Sequence, residues 1–222
     1  HTAYRRQRQM CIRDSFGKRW MRLDSDLPDD NFVRVVRADP EREGLLYAGS
    51  EGGLFVSFDD GDHWQSLNMN FPTVPITDLR VRQNTLIAAT QGRGFWALDE
   101  LTVIRQLNVN LSEKRLHVFK PKPSSLMRWG GRTAANEGKN PPSGVVFSYF
   151  LAEEFEGPLS IEIRDTDGTV VRTYSSEERD FDRCVTGNMT PRLAYSMSYP
   201  PMKPGLNQWT WDMRKEGLTC ID

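Results

Sequence analysis

The stretch "SFDDGDHW", residues 57–64, places three carboxylates and one histidine within eight residues. Such a cluster fits either a metal or acid/base site or a tight turn. A calcium loop needs oxygen ligands at alternating positions and a distant bidentate glutamate, and this stretch has neither. Ser, Asp and Gly are turn residues, because their side chains accept hydrogen bonds from backbone N–H groups and glycine tolerates positive φ. The stretch therefore predicts a hairpin turn and no metal site.

Parts of this stretch recur along the first half of the chain. "FGKRWMRLDSDLP" (16–28) and "DDGDHWQSLNMNFP" (59–72) share G-x-x-W, then an apolar residue and a proline, and Trp20 and Trp64 are 44 residues apart. "LLYAGSEGGLFVSFD" and "LIAATQGRGFWALDE" share an apolar strand, glycine, an aromatic strand and an acidic end, with Gly53 and Gly94 41 residues apart. Short strands repeated at this period are typical of four-stranded propeller blades.

Four residues of the opening stretch fit the pattern S-x-D-x-G-x-x-W: Ser57, Asp59, Gly61 and Trp64. The pattern resembles the Asp box of bacterial sortilin-like, BNR-repeat propellers of the glycosyl hydrolase-like group. We expect these residues to be structural, with the side chains of Ser57 and Asp59 holding the turn and Trp64 wedged between blades. The resemblance further implies that the Asp-box hairpin faces away from the ligand side.

The predicted fold is all-β, a partial β-propeller of about two blades followed by a truncated immunoglobulin-like β-sandwich. We assign the blades to 16–119, a Pro- and Gly-rich linker to 120–144 and the sandwich to 145–222. "GVVFSYFLAEEF", "PLSIEIRDTDGTVVRTYSS" and "GLNQWTWDMR" are rich in β-branched and aromatic residues and resemble the small sandwich that follows the propeller in the same family. Residues 1–15 resemble translated adapter sequence, so we expect them to be non-native and to lie outside the fold.

Composition narrows the function classes. The formal net charge of −1 becomes −4 once the net +3 of residues 1–15 is set aside, and no other basic run suggests nucleic-acid binding. No run of apolar residues is long enough for a membrane-spanning helix. Two cysteines outside the first segment, Cys184 and Cys220, leave a disulfide open. We find no nucleophile-elbow, zinc-protease, phosphate-loop or dinucleotide motif, and we expect no cofactor.

The resemblance also predicts which loops form the ligand face: those that enter a blade and those between its second and third strands. This rule selects Asp29, Asp30 and Asn31 in one entry loop, Asn70 and Phe71 in the next, and Glu51, Gln91 and Arg93 in the turns between second and third strands. Arg93 could bind an anionic or sugar ligand in a bidentate manner, and the pair Asp29 and Asp30 could supply one carboxylate of a hydrolytic pair. A solvated loop is the alternative for each, and no catalytic residue is assigned.

The leading functional hypothesis is a non-catalytic portion of an extracytoplasmic propeller protein that binds protein or carbohydrate and contacts the remaining blades of its chain. The alternative is a fragment of a glycoside hydrolase that acts through two carboxylates. A third class, an assembly factor, fits the same repeats. Carboxylates about 5 to 9.5 Å apart across a cleft would favour hydrolysis, whereas an aromatic-lined face without such a pair would favour binding. The extracytoplasmic location is inferred from the family resemblance alone.

Overall fold

The computed structural model describes residues 11–12, 21–23, 26–28, 31–107, 109–126, 142–153, 155–177 and 199–215. The chain is predominantly β, as the sequence predicts. Its strands are β1 (Cys11–Ile12), β2 (Met21–Arg22), β3 (Val33–Ala38), β4 (Leu46–Ser50), β5 (Gly53–Ser57), β6 (Gln65–Ser66), β7 (Ile76–Arg82), β8 (Thr85–Thr90), β9 (Phe95–Leu98), β10 (Leu116–Val118), β11 (Val145–Leu151), β12 (Ser160–Arg164), β13 (Val170–Ser175) and β14 (Gly205–Trp211). A short helix, α1 (Thr102–Gln106), and a 3-10 turn (Val109–Glu113) lie between β9 and β10.

The chain forms two compact units that divide between Arg105 and Gln106. The first unit contains the hairpin β1-β2 and two antiparallel sheets whose strands follow chain order, β3-β4-β5-β6 and β7-β8-β9. Neighbouring strands can pair in chain order because short turns connect them, which is the arrangement of a β-meander.

The hairpin β1-β2 repeats the register of β5-β6 at a spacing of 44 residues. Ile12 pairs with Met21, as Val56 pairs with Gln65 one repeat later. Cys11 and Ile12 therefore pair with β2, and the non-native origin of residues 1–15 stays a prediction. Gly17 and Trp20, which carry the earlier repeat in the sequence, lie outside the described residues.

The two larger sheets stack on each other through one apolar core. The face of β4 and β5 that carries Tyr47, Leu54 and Val56 packs against Ile76, Leu79, Leu86 and Ala88 of the next sheet. Gly49 lies at the centre of this contact, where an added Cβ would stand 2.6 Å from Ile76 Cγ2 and 2.8 Å from Val35 Cγ1. Because real Cβ atoms do not approach carbon this closely, only glycine allows the two sheets to meet here.

The opposite face of the first sheet is also buried. Leu46, Ala48 and Phe55 form a second cluster with Trp64 and Leu27. The first sheet is thus covered on both faces, one by the residues that precede it in the chain and one by the sheet that follows it. This head-to-tail order is what a repeat architecture requires.

A buried ion pair fixes α1 to the first sheet. The Nε atom of Arg105 lies 3.0 Å from each carboxylate oxygen of Asp39, and the two side chains are 10% and 0% exposed. The hydroxyl of Tyr47 donates to the same carboxylate at 3.2 Å. Burial, with the neighbouring Asp39 charge, raises the pKa of Tyr47, so the hydroxyl keeps its proton and donates. Arg42 donates to the carbonyl of Ile104 at 2.8 Å and so satisfies a carbonyl near the end of α1.

The second unit consists of a three-stranded sheet, β10-β11-β14, and a two-stranded sheet, β12-β13. Its core is formed by Tyr149, Leu151, Leu159 and Trp209. Burial raises the pKa of Tyr149 to about 12, and its hydroxyl donates to the carbonyl of Pro201 at 2.5 Å.

The boundary between the units lies earlier than the sequence predicts. We expected the repeats to extend to 119, yet β10 (116–118) pairs with β11 of the second unit. Residues 106–119 therefore belong to the second unit. Of the predicted linker at 120–144, residues 120–126 form no helix or strand, and residues 127–141 lie outside the described part. Among the described residues, no helix has the length and hydrophobicity needed to cross a membrane.

Gly49→Ala should destabilise the first unit, because the added methyl group must displace Ile76 or Val35. Overpacking of this kind costs about 1–3 kcal/mol, measurable by urea unfolding followed through the amide signals of β4. Ala89→Val is the matched control, because Ala89 holds the equivalent position in the second sheet and faces away from this core; it should change stability by less than about 0.5 kcal/mol. Equal stability of Gly49→Ala and the parent would contradict the close approach.

Arg105→Gln should destabilise the first unit by about 3–5 kcal/mol, because it leaves the buried Asp39 carboxylate without its cation. The same urea experiment measures this loss. Arg37→Gln is the comparison, since Arg37 forms an exposed pair with Asp78 that should contribute about 0–1 kcal/mol. A loss at Arg105 no larger than the loss at Arg37 would show that the buried pair does not hold α1.

Candidate functional site

The Asp-box hairpin between β5 and β6 is closed by side-chain oxygens. The hydroxyl of Ser57 accepts the N–H of Gly61 at 2.8 Å and donates to Asp59 Oδ1 at 2.8 Å. The same Asp59 oxygen accepts the N–H of His63 at 2.9 Å. Gly61 has a φ of 97°, a conformation that glycine adopts without steric cost. Ser57 is fully buried, so its hydroxyl acts as a brace for the turn and is not accessible as a nucleophile.

Trp64 connects this hairpin to the residues that precede the first sheet. Its indole N–H lies 2.7 Å from the carbonyl of Leu23 and 2.9 Å from that of Gly61. Its backbone N–H donates to Asp26 Oδ2 at 3.1 Å. The ring is buried in the cluster that covers the first sheet. Trp64 therefore joins consecutive repeats through both its apolar ring and its polar edge.

His63 and Asp59 form an exposed pair, with Nδ1 and Oδ2 2.7 Å apart. The hydrogen bond and the charge of Asp59 raise the pKa of His63. Burial opposes ionisation of Asp59, but hydrogen bonds from the backbone and ring of His63 and from Ser57 lower the pKa of Asp59. No group of three or more His, Cys, Asp or Glu side chains within the described ranges is placed to hold a metal ion.

The turns β4-β5 and β8-β9 use the same hydroxyl device. The Ser50 hydroxyl donates to the carbonyl of Gly53 at 3.1 Å and accepts the N–H of Gly52 at 3.1 Å. Thr90 does the same with Gly94, at 2.7 Å, and with Arg93, at 3.2 Å. Gln91 donates its N–H to the carbonyl of Pro75, as Glu51 does to that of Phe32. We call the surface formed by residues 50–53 and 90–94 and the loops beside them the turn end.

Glu51 is the one carboxylate within the two turns, and it is already engaged. Arg34 Nε donates to Glu51 Oε1 at 2.8 Å, and the second guanidinium nitrogen contacts the same oxygen. The guanidinium also lies over the ring of Phe32, 5.1 Å from its centroid. A carboxylate oxygen held in this way by two guanidinium nitrogens is a fixed hydrogen-bond acceptor, which suits a positioning role.

Two asparagines cover the glycines of the first turn. The carboxamide of Asn31 fills the space beside Gly52, where a Cβ would lie 2.2 Å from its Nδ2 atom. Asn68 fills the corresponding space beside Gly53, and its Oδ1 atom accepts the N–H of Leu54 at 2.8 Å. The two adjacent glycines are therefore needed because side chains from neighbouring loops approach the backbone here.

The second turn is one residue longer and projects Arg93. Gly92 and Gly94 on either side both have positive φ, and space beside each is open. The Arg93 side chain is exposed, and its carbonyl accepts the indole N–H of Trp96 at 3.1 Å. Trp96 in turn meets the edge of Phe71 at 5.2 Å between ring centroids. The turn end thus combines a guanidinium with an aromatic pair.

The structure brings some of the predicted ligand-face residues together and leaves others apart. Asn31 lies against the turn that carries Glu51, whereas Gln91 and Arg93 share the second turn. Asp29 and Asp30 lie outside the described residues. The two turns connect through Asn68, whose carbonyl accepts the N–H of Phe71, and through the contact of Phe71 with Trp96.

Sequence reasoning missed three contributors to the turn end: Arg34, Asn68 and Trp96. Asn68 carried a usable signal, because the preceding Gly52-Gly53 pair marks a place where another group approaches the backbone. Arg34 gave none, since its contact with Glu51 depends on the register of β3 on β4.

Comparison with known proteins found no matching family model, no matching curated protein and no matching solved structure.

The pair His63–Asp59 should make the Asp-box hairpin pH-dependent. The raised pKa of His63 adds stability that is full below its ordinary value of 6.5 and is lost as pH rises through the folded-state value. The lowered pKa of Asp59 adds stability that is present above 3.8 and is lost as pH falls through the folded-state value. An NMR titration should find the pKa of His63 raised above 6.5 in the parent and closer to 6.5 in Asp59→Asn. An unchanged His63 titration in that variant would exclude Asp59 as the cause.

Proposed function

We propose that this chain is the non-catalytic, protein- or glycan-binding part of an extracytoplasmic Asp-box propeller protein. The first unit would contribute consecutive blades and the second an immunoglobulin-like sandwich. The extracytoplasmic assignment rests on the resemblance to sortilin-like, BNR-repeat proteins.

Three features of the first unit support a propeller. Its sheets follow chain order as meanders, the hairpin register recurs at 44 residues, and each larger sheet begins with a register shift, between Val33 and Val35 and between Ile76 and Asp78. Propeller blades are four-stranded meanders of this kind. Trp64 supports the same assignment, because it joins one repeat to the next.

The observation that carries the binding function is the arrangement of the turn end. Arg93 is exposed, its backbone carbonyl accepts the indole N–H of Trp96, and Trp96 packs edge-on against Phe71. Guanidinium groups recognise carboxylates and polar oxygens, and aromatic rings stack on apolar faces of sugars and peptides. Both are typical of recognition surfaces.

The chemistry of Glu51 favours binding over hydrolysis. Glycoside hydrolysis uses two carboxyl groups, one of which must carry a proton at working pH. Arg34 already engages Oε1 of Glu51, and neither turn offers a second carboxylate. The glycoside hydrolase alternative therefore has less support at the turn end.

Surface binding assays with panels of immobilised oligosaccharides and synthetic peptides test this proposal. We expect saturable binding to one panel, weakened about 10- to 150-fold in Arg93→Ala, since a charge-assisted hydrogen bond contributes about 1.5–3 kcal/mol. Lys203→Ala removes the same charge from the exposed surface of the second unit and should bind as the parent does.

Chromogenic aryl glycosides provide the opposing test. The parent should show no turnover above the uncatalysed rate. Turnover that Glu51→Gln abolishes would replace the binding proposal with the hydrolase alternative, and equal binding by the parent and Arg93→Ala would place the ligand away from the turn end.

A further inference from the structure

The third strands of the two sheets, β5 and β9, differ in what lies on their outer edge. In the first sheet β6 pairs with β5, whereas in the second sheet β9 is the last strand within the described residues. The two strands are equivalent, because Leu54 pairs with Gly49 of β4 as Phe95 pairs with Ala89 of β8.

The hydrogen bonding of the β8-β9 turn determines which backbone groups of β9 face this outer edge. The N–H of Thr90 donates to the carbonyl of Gly94 at 3.0 Å, which makes these two residues a hydrogen-bonded pair. Because hydrogen-bonded and non-hydrogen-bonded pairs alternate in antiparallel sheets, the N–H and C=O groups of Phe95 and Ala97 point away from β8. Neither residue has a hydrogen-bond partner on this side among the described residues.

The equivalent groups of β5 are satisfied. The N–H of Leu54 donates to Asn68 Oδ1 at 2.8 Å, and the carbonyl of Leu54 accepts the N–H of Leu67 at 2.8 Å. Val56, equivalent to Ala97, pairs with Gln65 of β6. The segment 65–68 therefore shows what kind of strand this edge accepts: two paired residues, then an apolar residue, then an asparagine.

The side chains of β5 and β9 also differ in burial. Leu54 and Val56 are buried, whereas Phe95 is 81% exposed and Ala97 is exposed. Natural edge strands usually carry a charge or a proline that blocks pairing, and β9, with the sequence Phe-Trp-Ala-Leu, carries neither. An open edge without such protection, beside an exposed aromatic ring, is suited to strand addition.

We propose that β9 binds an extended segment of a partner polypeptide as an antiparallel fourth strand, in the register that β6 takes on β5. The partner segment would carry an apolar residue whose N–H donates to the carbonyl of Phe95, followed by an asparagine whose side chain accepts the N–H of Phe95. Its backbone would also pair with Ala97. This site adjoins the turn end at Trp96 but uses the backbone edge of β9, whereas the turn-end ligand would contact the Arg93 side chain, so separate variants test the two proposals.

The probe is the peptide of residues 63–69, "HWQSLNM", added at up to millimolar concentration to the isotope-labelled full chain. We expect saturable shifts of the amide signals of Phe95, Trp96, Ala97 and Leu98. A peptide with Asn68→Ala should bind about five- to tenfold more weakly, the cost of one hydrogen bond of about 1 kcal/mol.

A proline at position 97 tests the backbone contact. Ala97→Pro removes the outward N–H but none of the bonds to β8, so the strand should stay folded and the peptide should no longer bind. Ala97→Val keeps the N–H and should bind as the parent does. The amide signals of β8 report whether each variant is folded.

Three results would overturn the proposal. The first is the absence of saturable shifts in β9 of the parent, and the second is equal binding by Ala97→Pro and the parent. The third is a change of the β9 signals with protein concentration alone that Ala97→Pro abolishes, because the occupant would then be a second copy of this chain.

Discussion

The first unit depends on the absence of a side chain at Gly49. The two sheets share one apolar core, and Ile76 and Val35 occupy the space that a Cβ would need. Ile76 begins β7, so its position against β4 fixes where the second sheet starts relative to the first. At the equivalent position the second sheet has Ala89, which pairs with Phe95 and lies outside the shared core. The absence of a Cβ atom at Gly49 therefore determines how closely the two sheets stack.

Recurrent local chemistry, and not identical sequence, defines the repeat. Ser50 and Thr90 close their turns with the same two hydroxyl bonds, although the second turn is one residue longer. The additional residue allows Arg93 to project from a turn whose hydroxyl bonds are otherwise the same as in the first turn. A turn braced from within can accept such an insertion because the strands on either side keep their pairing. The framework and the proposed recognition surface therefore use different residues, although they share a turn.

Local patterns allowed the fold to be predicted further than the site. The hairpin at 57–64 was predictable because Ser57, Asp59 and Gly61 act within one turn. Glu51 was placed correctly in a turn, but its engagement by Arg34 follows from the pairing of β3 with β4, which the sequence does not fix. The boundary at 119 was misplaced for the same reason: "LHV" at 116–118 is a short apolar strand, and only its pairing with β11 assigns it to the second unit. Contacts over a long sequence separation are where the prediction failed.

The ion pair between Asp39 and Arg105 has a consequence for synthesis on the ribosome. The two residues are separated by 66 positions, and Arg105 is the last residue of the unit. Asp39, whose carboxylate is buried in the folded unit, is therefore synthesised well before Arg105, the cation that compensates its charge. The growing chain can assemble its sheets in order as they emerge, yet Asp39 has reason to stay hydrated until Arg105 is free. Burial of Asp39 is therefore favourable only once Arg105 is available, which ties closure of the first unit to the addition of its last residue.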